Sequence, residues 1–117
     1  MSERKFVAAT LDRFVEVVDE IEGVHLRELP PLTTVLVRTM NSVYRVWVID
    51  GPEVYIQGGL FPELTPAHVD GASVGGSCLL VGWIGVGLLM EIHSGDRRVT
   101  TSPVLAIATE LLSSVVN

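Results

Sequence analysis

A chain of 117 residues, 48% of them hydrophobic, fits a single domain (1-117) with one core and folds without a metal or a disulfide. Fourteen acidic against eight basic residues give a net charge of −6, which repels a phosphate backbone and argues against a nucleic-acid partner. The one cysteine, Cys78, has no internal partner, and its position between Ser77 and Leu79 predicts a small buried thiol.

The opening residues are charged, but Asp12, Arg13 and Glu16 interrupt any hydrophobic segment of a secretory signal, which implies a cytoplasmic protein. Val7, Leu11, Phe14, Val18 and Ile21 recur in steps of four and three, the spacing of an amphipathic helix, and Gly23 ends it. That stripe packs either on the domain's own sheet or on the same helix of a second copy, since the spacing also suits a short coiled-coil seam.

After Pro30 and Pro31 the apolar period becomes two. The stretch LTTVLVRTMNSVYRVWVID reads as a hairpin turning at Asn41 and Ser42, with Met40 opposite Val43, Arg38 opposite Arg45 and Leu36 opposite Trp47. One face then carries Val35, Val37, Val46 and Val48 and belongs to the core. The other carries Leu36, Arg38, Met40, Arg45, Trp47 and Ile49, too apolar for a solvated face, so something covers it. Two facing arginines would also hold an anion or a partner's carboxylate, which makes Arg38 and Arg45 ligand candidates. A third strand, EVYIQ, follows the turn at Asp50 to Pro52. GGLFPELTPAHVDG reads as a loop with a brief helical turn from Thr65 and Pro66 to Gly71, its Phe61 and Leu64 plugging one end of the fold.

From Gly71 to Met90 there is no charged side chain. Roughly 20 such residues would span a bilayer as a helix. The flanks are Asp70 and Glu91, however, no Lys or Arg is at hand to anchor the ends, and Gly71, Gly75, Gly76, Gly82, Gly85 and Gly87 all weaken a helix. Buried strands are the better reading. In a strand Ile84 to His93, Ile84, Val86, Leu88, Met90 and Ile92 share the core face, and Gly85, Gly87, Leu89, Glu91 and His93 the other. Gly85 and Gly87 mark a close approach of a neighbour. A hairpin through Gly95 and Asp96 sets Ile92 opposite Val99 and Glu91 opposite Thr100. Ser102 and Pro103 start a C-terminal helix with Val104, Ala108, Leu111 and Val115 along one stripe; a strand continuing from Arg98 past Pro103 is the rival.

No motif of catalysis emerges. GGSC is not a G-x-S-x-G elbow, and the glycine-rich run lacks both the G-x-G-x-x-G spacing and the lysine of a phosphate loop. His25, His68 and His93 lie apart without metal-ligand spacing, so neither a metal nor another cofactor is expected. Glu91 and His93, a carboxylate beside an imidazole, form the one constellation with chemical potential, against the plainer reading of a solvated strand end.

The expected fold is therefore α+β: a curled antiparallel sheet, a roll or small barrel of about six strands, with an N-terminal amphipathic helix and a C-terminal helix. The expected function is a non-enzymatic protein-interaction or adaptor domain that self-associates as a homodimer. Leu36, Met40, Trp47, Ile49, Gly85 and Gly87 are its interface candidates. The alternative is a small-ligand pocket or small enzyme whose site lies near Glu91 and His93. No nucleic-acid or membrane partner is expected.

Overall fold

The computed structural model describes residues 5–9, 15–75 and 78–111, with side chains described for 20–75 and 78–110. Strands β1 (Lys5–Ala9), β2 (Val15–Asp19) and β3 (Gly23–His25) lead into a single 3-10 turn at Leu26–Glu28. There follow β4 (Thr33–Thr39), β5 (Val43–Asp50), β6 (Glu53–Gly58), β7 (Phe61–Ser73), β8 (Leu79–Val81), β9 (Trp83–Gly85), β10 (Leu89–Ser94), β11 (Arg97–Thr100) and β12 (Val104–Leu111). The main sheet has the order β11-β10-β7-β6-β5-β4-β12, with β8 added beside β7; β1 with β2 and β3 with β9 form two small ribbons. Every pairing is antiparallel.

The α+β expectation is thus corrected: the described residues are nearly all β, and both predicted terminal helices are replaced by strands. Of the proposed N-terminal stripe, Val7 falls in β1 and Val18 in β2, while Leu11 and Phe14 lie outside the described residues. Val15, Val17 and Val18 are branched at Cβ, which favours a pleated strand over a helix. The C-terminal segment is the strand that was the rival reading, as far as Leu111; Val115 lies outside the described residues, as does Gly76. Nor is the sheet a closed barrel. β11 and β12 stand at its two ends, joined through Thr101 to Pro103. Gly87 N–H donates to Val104 C=O at 2.8 Å and Val104 N–H to Leu88 C=O at 2.9 Å, drawing the two ends together without a continuous ladder.

The concave face holds one core. Val35, Val37, Val46 and Val48 are fully buried there as expected, joined by Tyr44, Ile56, Phe61, Val69, Ile84, Met90, Ile92 and Ile107. Burying each such side chain contributes about 1.5 to 3 kcal/mol before the cost of ordering it. A second, small buried cluster of Leu36, Ala106 and Ala108 lies on the reverse face where β4 meets β12.

The β4–β5 hairpin keeps the predicted faces but shifts register by two residues. Leu36 pairs with Arg45, Arg38 with Val43 and Thr34 with Trp47, so Arg38 and Arg45 are not opposite one another. The turn sits one residue earlier than expected: Thr39 N–H donates to Ser42 C=O at 2.8 Å across Met40 and Asn41, and the Thr39 hydroxyl accepts from the N–H groups of Asn41 (3.4 Å) and Ser42 (3.2 Å). A shift of two leaves every side chain on its own face.

The segment expected to be a loop with a helical turn is instead the longest strand, β7, of 13 residues. Its prolines do not break it. Pro62 lies where the β6–β7 register slips. Val69 N–H donates to Pro52 C=O on the β6 side, at 2.9 Å, and amide directions alternate along a strand, so the nitrogen of Pro66 points to the other edge. There β10 ends at Ser94, and no N–H is needed. The predicted strand from Ile84 to His93 is interrupted: β9 stops at Gly85, Gly87 turns the chain at φ 89°, and β10 begins at Leu89. The hairpin beyond it matches expectation, with Ile92 opposite Val99 and Glu91 opposite Thr100. No helix of the described residues is long and apolar enough to cross a membrane.

Candidate functional site

On the convex face a polar row crosses four strands. Glu53 of β6 pairs with His68 of β7, His68 with His93 of β10, and His93 with Arg98 of β11. Between Glu91 and Ile92 the β7–β10 register slips: Ile92 pairs with Val69 and Glu91 with Gly71, which leaves Asp70 as the extra residue of a β-bulge. A bulge re-aims side chains. Asp70, two residues after His68, shares the histidines' face by strand alternation, and the bulge then sets Gly71 opposite Glu91 on that same face.

The contacts follow. Asp70 Oδ1 lies 2.8 Å from His93 Nδ1 and 3.8 Å from His68 Nε2, and its Oδ2 is 3.7 Å from the Arg98 guanidinium. On the far side His68 Nδ1 meets Glu53 Oε2 at 2.6 Å. The imidazoles stack with centroids 5.0 Å apart and planes inclined by 27°. Both histidine side chains are 34% exposed and Asp70 is 19% exposed, so the row is open to a ligand at its surface and firmly seated beneath. Beside it runs a groove of about 520 Å³, walled by Ile49, Tyr55 and Pro66 on one side and by Glu53, His68 and His93 on the other.

Glu91 belongs to a neighbouring arrangement. Its two oxygens accept from Ser73 Oγ (2.5 Å) and Thr100 Oγ1 (2.6 Å), at the floor of a second depression of about 410 Å³ that reaches Cys78, Leu79 and Arg98. Glu91 and His93 therefore share a face, as the sequence indicates, but each is bound to a different partner, with Asp70 between them. Cys78 is exposed, which corrects the expectation of a buried thiol.

The hydroxyls near the row are committed elsewhere: Ser73 and Thr100 donate to Glu91, and Ser94 donates to Pro66 C=O at 2.7 Å. An imidazole held by a carboxylate suits acid–base work, but acyl transfer also needs a nucleophile within hydrogen-bond reach of the base. No three His, Cys, Asp or Glu side chains among the described residues are arranged to hold a metal ion.

The remaining sequence candidates disperse. Arg38 is exposed and Arg45 half-buried, each with an interaction of its own. Leu36 is buried at 1% exposure in the small reverse-face cluster, Trp47 is half-buried, and Met40 and Ile49 are exposed. Gly85 is buried against the Trp83 indole, whereas a side chain at Gly87 would meet open space. Sequence reasoning missed Glu53, His68 and Asp70 as members of one row. The signal was the Asp70-Gly71 pair inside an apolar strand, a bulge signature that reads equally well as a turn.

The uncharged run resolves into two parts. Ala72, Ile84 and Met90 are buried in the sheet, but Val74, Leu79, Leu80 and Val81 are 69%, 45%, 54% and 65% exposed. β8 carries three of them, and among the described residues it pairs with β7 alone. The chain matches no family model, no curated protein and no solved structure in comparisons with each.

Proposed function

We propose that the chain is a non-enzymatic protein-interaction domain that self-associates as a homodimer, two copies joining through the free edges of their β8 strands. The observation that carries this reading is the exposure of Leu79, Leu80 and Val81, consecutive apolar residues on a strand whose second edge has no partner among the described residues. Monomeric proteins protect such edges with charges, prolines or a covering element. β8 has no charge or proline of its own and no covering strand among the described residues, and the nearest charges in the chain, Asp70 and Glu91, are engaged with His93, Arg98, Ser73 and Thr100.

The occupant follows from charge. A chain of net charge −6 repels its own copies over most of its surface, and Gly71 to Met90 is the stretch where two copies approach without that repulsion. Antiparallel pairing of β8 with β8 about a two-fold axis is isologous: each strand supplies the same donors, acceptors and side chains. A cytoplasmic setting suits the exposed lone thiol of Cys78, which a reducing compartment keeps free.

Light scattering over a range of protein concentrations tests the proposal. Wild type is expected at twice the chain mass, and Leu80→Lys, a change at a half-exposed position, at the chain mass with unaltered circular dichroism. A wild type of single-chain mass throughout, or a dimer indifferent to Leu80→Lys, overturns it.

A further inference from the structure

We infer that a pocket between the sheet's turns, lined by Tyr44 and Ser102, binds a small neutral polyol, a molecule between glycerol and a monosaccharide in size. No residue of β8 lines this pocket, so a ligand there is compatible with either oligomeric state.

Three connections of the chain meet at the site: the β4–β5 turn at Asn41 and Ser42, the β6–β7 turn at Leu60, and the β11–β12 link at Thr101 and Ser102. They surround about 170 Å³, room for several water molecules and so for one small organic molecule in their place. Met40 N–H donates to Pro103 C=O at 3.3 Å, which ties the first turn to the last. The walls are thus held together without a ligand.

The observation that points to an occupant is the Ser102 hydroxyl, buried and without a hydrogen-bond partner among the described residues. Leaving such a group unpaired is costly, and folded proteins almost always give it a partner. Its neighbours are already committed. The Thr39 hydroxyl accepts from Asn41 and Ser42 N–H and donates to Ser42 C=O, while Thr101 Oγ1 accepts from Met90 N–H at 3.0 Å and donates to Ser102 C=O at 2.7 Å. Tyr44 differs from them. Its Oη accepts from Leu60 N–H at 3.4 Å, which leaves the phenolic O–H to donate. Gly59 makes way for that hydroxyl, since a Cβ there would lie 2.6 Å from it. Two buried donors therefore line one small space, with the less buried Asn41 and Ser42 beside them.

Charge and hydrogen-bond capacity select the class of ligand. No charged side chain lines the pocket, and the Arg97 guanidinium, close to Leu60, donates to the Leu60 carbonyl and lies over the Phe61 ring. An anion or a cation would enter without a countercharge. An apolar molecule would leave Ser102 and Tyr44 unpaired. Hydroxyl groups both accept and donate, so a polyol takes the protons of Tyr44 and Ser102, donates to the Asn41 carbonyl, and lays its C–H surface against Leu60.

The test follows NMR shifts of the full chain as glycerol, glucose or glycerate, the carboxylate counterpart of glycerol, is added. Saturable shifts centred on Tyr44, Leu60 and Ser102 are expected with glycerol or glucose, in the millimolar range, and none with glycerate. Ser102→Ala and Tyr44→Phe each remove one donor and are expected to weaken binding about fivefold, a difference of about 1 kcal/mol. Without ligand, Ser102→Ala should melt no lower than wild type, because the group it removes is unpaired. Shifts that never saturate with glycerol or glucose, the pocket then holding water alone, overturn the inference. So does glycerate binding as tightly as glycerol, or full affinity in the Ser102→Ala variant.

Discussion

The Trp83 indole occupies the space that a side chain at Gly23 would need, although His25 is the residue opposite Trp83 in the β3–β9 ladder. The ring leans diagonally across the Gly23–Gly85 pair, and a Cβ at Gly85 would lie 2.6 Å from its Nε1. Diagonal neighbours in a two-stranded ribbon lie within reach of an aromatic side chain. The glycines are therefore half of a packing contact, with the indole as the other half.

Gly23→Ala and Gly85→Val are accordingly expected to destabilise the fold by about 1 to 3 kcal/mol or more each, through overpacking against the ring. Gly87→Val is expected to cost about 1 to 3 kcal/mol for a different reason, since Gly87 has open space around it but a φ of 89° that a branched residue adopts only under strain. Trp83→Ala separates the two causes in a double-mutant cycle followed by urea denaturation. It should relieve the penalty at Gly23 and Gly85 and leave that at Gly87 unchanged.

Leu32 carries the one positive φ outside glycine among the described residues, 72°, in the turn where Thr33 N–H bonds back to Pro30 C=O at 3.3 Å. Its side chain is 53% exposed and so contributes little burial to offset that conformation. Asparagine tolerates the left-handed region, and Leu32→Asn is expected to raise stability by about 0.5 to 1 kcal/mol. Calorimetry would register this as a melting point about 2 to 6 °C higher. An unchanged or lower melting temperature would show that the turn is not strained by leucine.

What the sequence reveals depends on how many faces of an element are buried. In β4 and β5 the valines alternate cleanly, and in the β10–β11 hairpin Gly95-Asp96 fixes the turn, so faces and, for the latter, partners are read correctly. In β12 Ala106, Ile107 and Ala108 are all fully buried, because the strand has a core side and a side shared with Leu36; with both faces covered, period two disappears and a helical stripe fits equally well. In β7 Pro66 reads as a breaker because its tolerance depends on where β10 ends, a fact of tertiary pairing. The acid–imidazole row was illegible for the same reason: His68 and His93 meet through a register that the bulge at Asp70 sets.

Glu91 is expected to act as a structural acceptor. Glu91→Ala removes the partner of both Ser73 and Thr100 and should cost about 1 to 2 kcal/mol in thermal or urea denaturation, less than Gly85→Val. A melting temperature unchanged in Glu91→Ala would show that the two hydroxyls find other partners.

Amide hydrogen exchange at Leu79 and Val81, followed as protein concentration is raised, addresses the β8 edge itself; Gly82 N–H donates to Asp70 C=O, so by alternation Leu80 N–H faces β7 and those of Leu79 and Val81 face outward. Pairing between two copies engages backbone groups that the single chain leaves unpaired, so protection at these residues should increase with concentration and vanish in Leu80→Lys. Exchange at β8 that stays equally fast at every concentration, while the mass is that of a dimer, would contradict the edge-to-edge account and place the contact elsewhere on the chain.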